Sequence, residues 1–250
     1  MSDRKYFKSE EQSIDFPYYN GKPQSLTVGQ WSVLVLVLVV QFFIMSTVKL
    51  SFLPVHVATI VMDLFLVLVP LGLLKLFTGQ VFGPLFKPLK VRDTGIIIKY
   101  VLLAFVVSIA STIVLNIVGW HTSDNGASAQ VTSMTSYLFL FIDNIFSLFW
   151  EELISLIPFL AVLALLQHRM SRKTAIITST LVTSIFFGAL HLPSYSWNVP
   201  MVFTSIVVIR LVLNASYIKT KNIWVTYLIH LVYDSFVFAL PAIITLLFKH

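Results

Sequence analysis

The sequence lacks cysteine and contains few charged residues. None of its 250 residues is Cys, which excludes disulfide bonds, thiolate zinc sites, iron–sulfur clusters and cysteine nucleophiles. Charged residues make up 11% of the chain, compared with about 25% in a soluble domain. Apolar residues make up 57%, and the mean hydropathy is +0.88. This composition is that of an integral membrane protein.

Seven apolar runs follow a polar N-terminal stretch. Each run is near the length that a helix needs to cross ~30 Å of hydrocarbon, and none has the alternating pattern of transmembrane strands. We therefore predict an all-α integral membrane protein, a polytopic bundle of about seven (six to eight) transmembrane helices. The runs lie at residues 31–49, 55–77, 95–120, 136–167, 174–192, 199–218 and 223–248. Residues 1–30 are predicted to be a polar tail, either mobile or lying on the surface, and residues 31–250 the transmembrane domain.

Basic residues predict the orientation of the chain. The N-terminal tail and the loops after the second, fourth and sixth runs hold 14 of the 17 Lys and Arg residues. The positive-inside rule then places the N-terminus in the cytoplasm, and we expect a bacterial plasma membrane. The net charge of +6 is explained by topology, so the expected partner is the lipid bilayer and not nucleic acid. The oligomeric state stays open.

Ionisable residues within the predicted spans are concentrated in the C-terminal half. Each costs at least ~2.5–3.5 kcal/mol at the centre of a membrane helix, so each calls for an explanation. Seven of the eight follow residue 140; the set is Asp63, Asp143, Glu151, Glu152, His191, Arg210, His230 and Asp234. Asp63 is best explained by a polar contact between helices. We predict a scaffold in the N-terminal half and a polar site among the C-terminal helices.

Two adjacent glutamates, Glu151 and Glu152, lie in the fourth run. Asn144, Ser147, Glu151 and Ser155 recur every three or four residues and so form one polar stripe on a helix. Glu152 projects about 100° away from that stripe. A pair of carboxyl groups in such a place suits proton transfer. The alternative is a hydrogen-bonding pair between helices.

Two histidines and an arginine accompany these glutamates. His230 and Asp234 are four residues apart and share a helix face, where the carboxylate either orients the imidazole or closes a local pair. His191 lies one turn after Phe187, either as a site residue or as a structural polar contact. Arg210 requires a carboxylate partner, for which Glu151, Glu152 and Asp234 are the candidates, and it serves either in a structural ion pair or in substrate binding. Together these groups can activate water by general base catalysis or by metal coordination.

The ordered motifs resemble those of the CPBP family of intramembrane proteases. The family pattern is EExxxR, FxxxH and HxxxN or HxxxD on successive spans, and the chain has Glu151-Glu152, Phe187-x-x-x-His191 and His230-x-x-x-Asp234. The family includes CAAX prenyl endopeptidases of the Rce type and bacterial Abi proteins linked to bacteriocin processing and self-immunity. The resemblance covers roughly residues 136–240.

The resemblance implies peptide hydrolysis within the membrane. Glu151 is the implied base for water, Glu152 its assistant, and His191, His230 and Asp234 the groups that position water or stabilise an oxyanion. Supporting or substrate-binding roles are implied for Phe187, Arg210 and Ser155. The implied substrate is a membrane-associated peptide or a lipidated protein.

One motif position departs from the family. Leu156 stands where EExxxR has its arginine, and Arg210 on another helix is a candidate replacement. Two alternatives to a protease therefore stay open. The first is a catalytically degenerate immunity or binding protein of the same fold, for which Leu156 is the motive. The second is a proton-coupled transporter, because acidic, His and Arg residues in the membrane also relay protons.

A metal is permitted but not indicated. The family has been described both as zinc metalloproteases and as glutamate-dependent enzymes, and the zinc-helix spacing H-E-x-x-H is absent from this chain. No cofactor is assigned. If zinc were bound, Glu151, His191 and His230 would be its ligands.

Overall fold

The computed structural model describes residues 6–80, 83–123, 131 and 133–248. This part of the chain contains seven helices that are long and apolar enough to cross a membrane and no strand. They are α1 (Val28–Thr47), α2 (Val55–Thr78), α3 (Val91–Val118), α4 (Met134–Leu166), α5 (Arg172–His191), α6 (Val199–Thr220) and α7 (Ile223–Phe248). The predicted all-α polytopic bundle is confirmed.

Polar caps set the beginnings of several helices. Before α1, the Thr27 hydroxyl accepts the backbone N–H of Gln30 at 3.2 Å, and the Gln30 side chain accepts the N–H of Thr27 at 2.9 Å. Ser133 and Ser136 form the equivalent reciprocal pair at α4. Ser171 caps α5. These side chains satisfy backbone donors that the first helical turn leaves unpaired.

Helix α4 is the centre of the bundle. Its 33 residues contact α1, α2, α5 and α7. Pro158 lies within this helix, which is α-helical from Met134 to Leu166. Because α4 packs against helices on several sides, the polar groups that it carries are held away from lipid.

Helix α6 begins irregularly and lies very close to α5. A π-helical turn at Val202–Ile206 separates the short turn Val199–Met201 from the regular helix Val207–Thr220. Gly188 of α5 faces this region, and a Cβ atom at that position would lie 2.4 Å from a Val207 methyl carbon. The close approach of the two helices therefore depends on the missing side chain, one turn before His191.

The N-terminal segment, defined here as residues 6–27, packs against the ends of the helices. Phe16 and Tyr18 are fully buried. The Phe16 ring contacts Phe159 of α4 with centroids 5.5 Å apart, and Tyr217 of α6 at 5.9 Å. Of the two alternatives that the composition left open, the described residues fit a segment held on the surface.

A buried ion-pair network holds the same segment. Arg172, at the start of α5, donates to both carboxylate oxygens of Glu10 at 3.0 and 2.5 Å and to Asp15 at 2.7 Å. The Lys221 ammonium lies 2.9 Å from Glu10. Although burial alone would raise the pKa of Glu10, these hydrogen bonds and charges hold that pKa below its ordinary value.

Candidate active site

Four of the predicted catalytic side chains meet around the carboxylate of Glu151. Its Oε2 atom lies 3.5 Å from Nε2 of His191 and 3.8 Å from Nε2 of His230. Asp234 Oδ2 lies 3.7 Å from the same His230 nitrogen. These four residues, from α4, α5 and α7, are called the Glu151 cluster below. Glu151, His191 and Asp234 are 23%, 19% and 19% exposed, so the cluster is open on one side.

The fifth predicted catalytic residue, Glu152, is buried behind the cluster. Arg210 of α6 donates to both of its carboxylate oxygens, with both distances 2.8 Å. His230 Nδ1 lies 2.7 Å from Glu152 Oε1. The Glu152 and Arg210 side chains are 3% and 1% exposed. Paired and hydrogen-bonded in this way, Glu152 is held as a fixed anion.

The hydrogen-bond partners define how the two imidazole rings face the site. His191 Nδ1 lies 2.9 Å from the carbonyl oxygen of Phe187. Because a carbonyl only accepts, His191 Nδ1 carries a proton and donates it. His230 Nδ1 donates in the same sense to the Glu152 carboxylate. Both Nε2 atoms are thereby left to face Glu151.

Arg210 is the cation that pairs with Glu152. The sequence left three carboxylates as its candidate partners, and the structure pairs it with Glu152. Its guanidinium carbon also lies 5.0 Å from the ring centroid of Phe187. Leu156, where the motif has arginine, is a buried apolar residue. The cation beside Glu152 thus comes from α6.

A polar bridge next to the cluster was only partly predicted. Asn214, one turn after Arg210, donates to the Ser184 hydroxyl at 3.0 Å, and Ser155 Oγ lies 3.4 Å from Asn214 Oδ1. All three side chains are buried. The bridge ties α4, α5 and α6 together, so Ser155 supports the site through packing. The four-residue spacing between Arg210 and Asn214 is the signal that could have identified Asn214.

Asp63 and Asp143 form a separate contact. The two carboxyl groups meet between α2 and α4, which confirms the polar helix contact predicted for Asp63. Asp143 precedes Glu151 by eight residues, or ~12 Å along the helix. This pair is therefore not part of the Glu151 cluster.

The described residues do not form a metal centre. In the described ranges, no group of three His, Asp or Glu side chains is arranged to hold a metal ion. Glu151, His191 and His230, the residues that would ligate zinc, do converge, but their contacts are those of a carboxylate facing two imidazoles.

A family model matches the same part of the chain. The model described as type II CAAX prenyl endopeptidase Rce1-like covers residues 133–236. This range includes every residue of the Glu151 cluster, together with Glu152, Arg210 and the polar bridge. No curated protein and no solved structure matches the chain.

Proposed function

We propose that this integral membrane protein is an intramembrane endopeptidase, because residues 133–236 match the Rce1-like model of type II CAAX prenyl endopeptidases, the protease family that the motifs resemble. The observation that carries the proposal is the position of Glu151 Oε2, which faces two imidazole Nε2 atoms on the open side of a buried polar cluster. The proposed substrate is a membrane-associated peptide or a lipidated protein.

Glu151 acts as the general base. Its Oε2 atom removes a proton from a water molecule, and the oxygen of that water forms a bond to the scissile carbonyl carbon. The protonated Glu151 then gives its proton to the leaving nitrogen as the C–N bond breaks. The products are a carboxylic acid and an amine, and Glu151 returns to its starting state.

His191 and His230 stabilise the oxyanion and orient the water. Both rings are held by their Nδ1 protons, so the Nε2 atoms keep fixed directions during the reaction. A ring that also carries a proton at Nε2 donates a hydrogen bond from that N–H to the tetrahedral oxyanion. Asp234, 3.7 Å from His230 Nε2, stabilises that charged form.

Glu152 is a positioning residue, which acts by orienting His230. Both of its oxygens already accept hydrogen bonds from Arg210 and His230, so it fixes the tautomer and direction of His230. This is a narrower role than the proton-transfer assistant implied by the family motif. The Arg210–Glu152 ion pair favours an enzyme over a catalytically degenerate immunity protein. The argument for degeneracy is that Leu156 replaces the motif arginine, and Arg210 provides a cation in its place.

The setting of the reaction follows from the family and from the basic loops. We propose that the N-terminus lies in the cytoplasm of a bacterium and that the enzyme acts in the plasma membrane. Peptide processing, including bacteriocin processing or self-immunity, and cleavage of a prenylated protein are the reactions that the family offers. Each provides a peptide bond close to the membrane.

The experiment compares Glu151→Gln with the wild type in lipid nanodiscs. Fluorogenic peptides with and without a prenyl group serve as substrates. Glutamine keeps the shape of Glu151 but cannot take a proton, so we expect the cleavage rate to fall about a thousandfold. His191→Ala should lose a comparable factor.

Asp143→Asn provides the matched control, because Asp143 lies on the same helix outside the cluster. It should retain the wild-type rate. All variants should keep the wild-type unfolding temperature within a few degrees. Full activity in both Glu151→Gln and His191→Ala would overturn the proposal.

A further inference from the structure

A cavity of about 610 Å³ lies at one end of the bundle, away from the Glu151 cluster. The N-terminal segment, the loop before α3, the first turns of α3 and the turn between α6 and α7 form its wall. Its polar lining includes Glu11, Lys87, Lys90, Arg92, Lys219 and Asn222. Because α3 begins and α6 ends here, the cavity lies at the level where the bundle leaves the hydrocarbon.

The carboxylates in the cavity wall already have partners within the protein. Glu10 is held in the ion-pair network of the N-terminal segment. Glu11 pairs with Arg92 and accepts from the Ser13 hydroxyl at 2.7 Å. Asp93 Oδ2 accepts the backbone N–H of Lys90 at 2.8 Å. Asp93 Oδ1 also lies 4.0 Å from the Arg92 guanidinium. Each acidic group of the wall therefore has an ion-pair partner other than Lys87, Lys90 and Lys219.

Three lysines of the wall have no such compensation. Among the described residues, no carboxylate lies within 4 Å of the ammonium group of Lys87, Lys90 or Lys219. Lys87 Nζ donates to the backbone carbonyl of Lys221 at 2.7 Å, and Lys219 Nζ lies 3.5 Å from the carbonyl of Ser9. These partners are neutral, so an excess of positive charge remains in the cavity.

The pKa of Lys87 is consistent with that excess. Burial, together with repulsion from Lys221 and Lys90, lowers the pKa of Lys87 to about 8. Asp15 and Glu11 oppose this lowering of the pKa without cancelling it. A bound anion would supply the counter-charge that Lys87 lacks at close range.

The apolar part of the lining indicates which class of anion the cavity binds. Ile14, Pro88 and Ile96 also face the cavity, so cationic and apolar groups lie side by side at the membrane boundary. We propose that this cavity binds the phosphate of an anionic phospholipid headgroup. The lysines contact the phosphate, and the apolar side chains cover the glycerol end of the lipid.

The experiment titrates short-chain phosphatidylglycerol into the full-length protein in neutral detergent and records the thermal unfolding midpoint. Phosphatidylcholine and inorganic phosphate are titrated separately. The test variant is Lys90→Gln/Lys219→Gln, which leaves the Lys87 hydrogen bond intact. The matched control is Lys75→Gln/Lys99→Gln, which removes two exposed lysines that do not line the cavity.

We expect phosphatidylglycerol to raise the midpoint of the wild type and of the control variant more than phosphatidylcholine does. The test variant should bind it about 25-fold more weakly, since each lysine contributes about fivefold near an anionic lipid. Its midpoint without lipid should equal that of the wild type. Equal losses in both double variants, or equal effects of the two lipids, would overturn the proposal. An effect of inorganic phosphate as large as that of the lipid would overturn the assignment to a lipid.

Discussion

Helices α1–α3 and helices α4–α7 are all apolar enough to span a membrane, yet they differ in how much of each helix is buried inside the protein. In the most apolar stretch of each of α1, α2 and α3, 22% of the residues are buried inside the protein, compared with 78% in α4. The same stretches have mean hydropathies of 2.2 to 2.6 in α1–α3 and 1.5 to 1.9 in α4–α7. The helices that face lipid are the more apolar ones.

The difference shows what identifies the interior of a protein in a bilayer. Lipid tails are as apolar as Leu, so apolar side chains gain little by leaving lipid for the protein interior. Charged and hydrogen-bonding groups gain much more, because lipid offers them no partner. The proposed catalytic residues therefore lie in the less apolar, more enclosed half of the molecule, and α1 and α2 separate part of α4 from lipid.

The largest effect should come from Arg210→Met. This change leaves the buried Glu152 carboxylate without its cation, and breaking a buried pair on one side costs about 3–5 kcal/mol of unfolding free energy. Cleavage should also be lost. Unfolding in detergent measures the stability, and Lys75→Met on the exposed side of α2 should have no effect.

The double variant Arg210→Met/Glu152→Met sharpens this contrast. Replacing both partners with apolar residues removes the uncompensated charge, so most of the stability should return. The cleavage rate should stay low, because His230 loses the acceptor of its Nδ1 proton. If Arg210→Met alone is as stable as the wild type, polar pairing does not hold the C-terminal half together.

An intermediate effect is expected from Gly188→Ala. The added methyl group would overlap Val207, and overpacking of this kind costs about 1–3 kcal/mol. The cleavage rate should fall as well, since His191 is one turn away. Val207→Ala in the same chain should restore both thermal stability and rate.

The matched change in the other half is Gly72→Ala in α2, where an added Cβ meets no atom within 4 Å of the described structure. It should be neutral or slightly stabilising, because Ala favours a helix over Gly. A loss of stability at Gly72 as large as that at Gly188 would contradict the contrast between a loosely packed and a tightly packed half.

The smallest effect concerns the N-terminal segment, which precedes α1 but is tied to α5 and to the α6–α7 turn. The pKa values of Glu10 and Asp15 are lowered in the folded protein, where hydrogen bonds from Arg172 outweigh burial. Their stabilisation is complete above the ordinary values of 4.5 and 3.8 and is lost as the pH falls through the lowered values. The midpoint temperature of thermal unfolding should therefore decrease once the pH drops below about 4.5.

Glu10→Gln tests this dependence. It should cost about 1.5 kcal/mol at pH 7, the low end for hydrogen bonds to charged groups, because Arg172 keeps its pair with Asp15. It should also reduce the slope of the midpoint between pH 5 and pH 3. Glu11→Gln is the control, because its ion pair with Arg92 is more exposed and such pairs contribute little. Identical pH profiles for both variants would show that the ion pairs of Glu10 do not stabilise the packing of the N-terminal segment against the C-terminal helices.

The sequence could predict which residues need an explanation, but not which of them pair. Seven spans follow from length and hydropathy, and the polar site follows from the cost of charge in lipid. Glu151 and Glu152 are adjacent, yet they face different partners because successive helix positions are about 100° apart. Nothing in the local spacing says that Arg210 lies against Glu152 and not Glu151.

The depth of the site was also beyond sequence reasoning. Counting 1.5 Å per residue along upright helices puts His191 ~25 Å into the membrane and His230 only ~12 Å. In the structure both approach the same oxygen of Glu151. Tilt and offset between helices, which are set by packing, account for such a difference. The burial of Phe16 is similar, because its partners Phe159 and Tyr217 are far away in the chain.

The pairing of Glu152 has a consequence for how the chain is made. Its cation lies 58 residues later in the chain and its imidazole partner 78 residues later. During synthesis α4 therefore reaches the bilayer before either partner exists, with two glutamates that are costly in lipid. The pairing of Glu152 is therefore completed only when α6 and α7 join α4, and a chain truncated before Arg210 leaves α4 without its counter-charge.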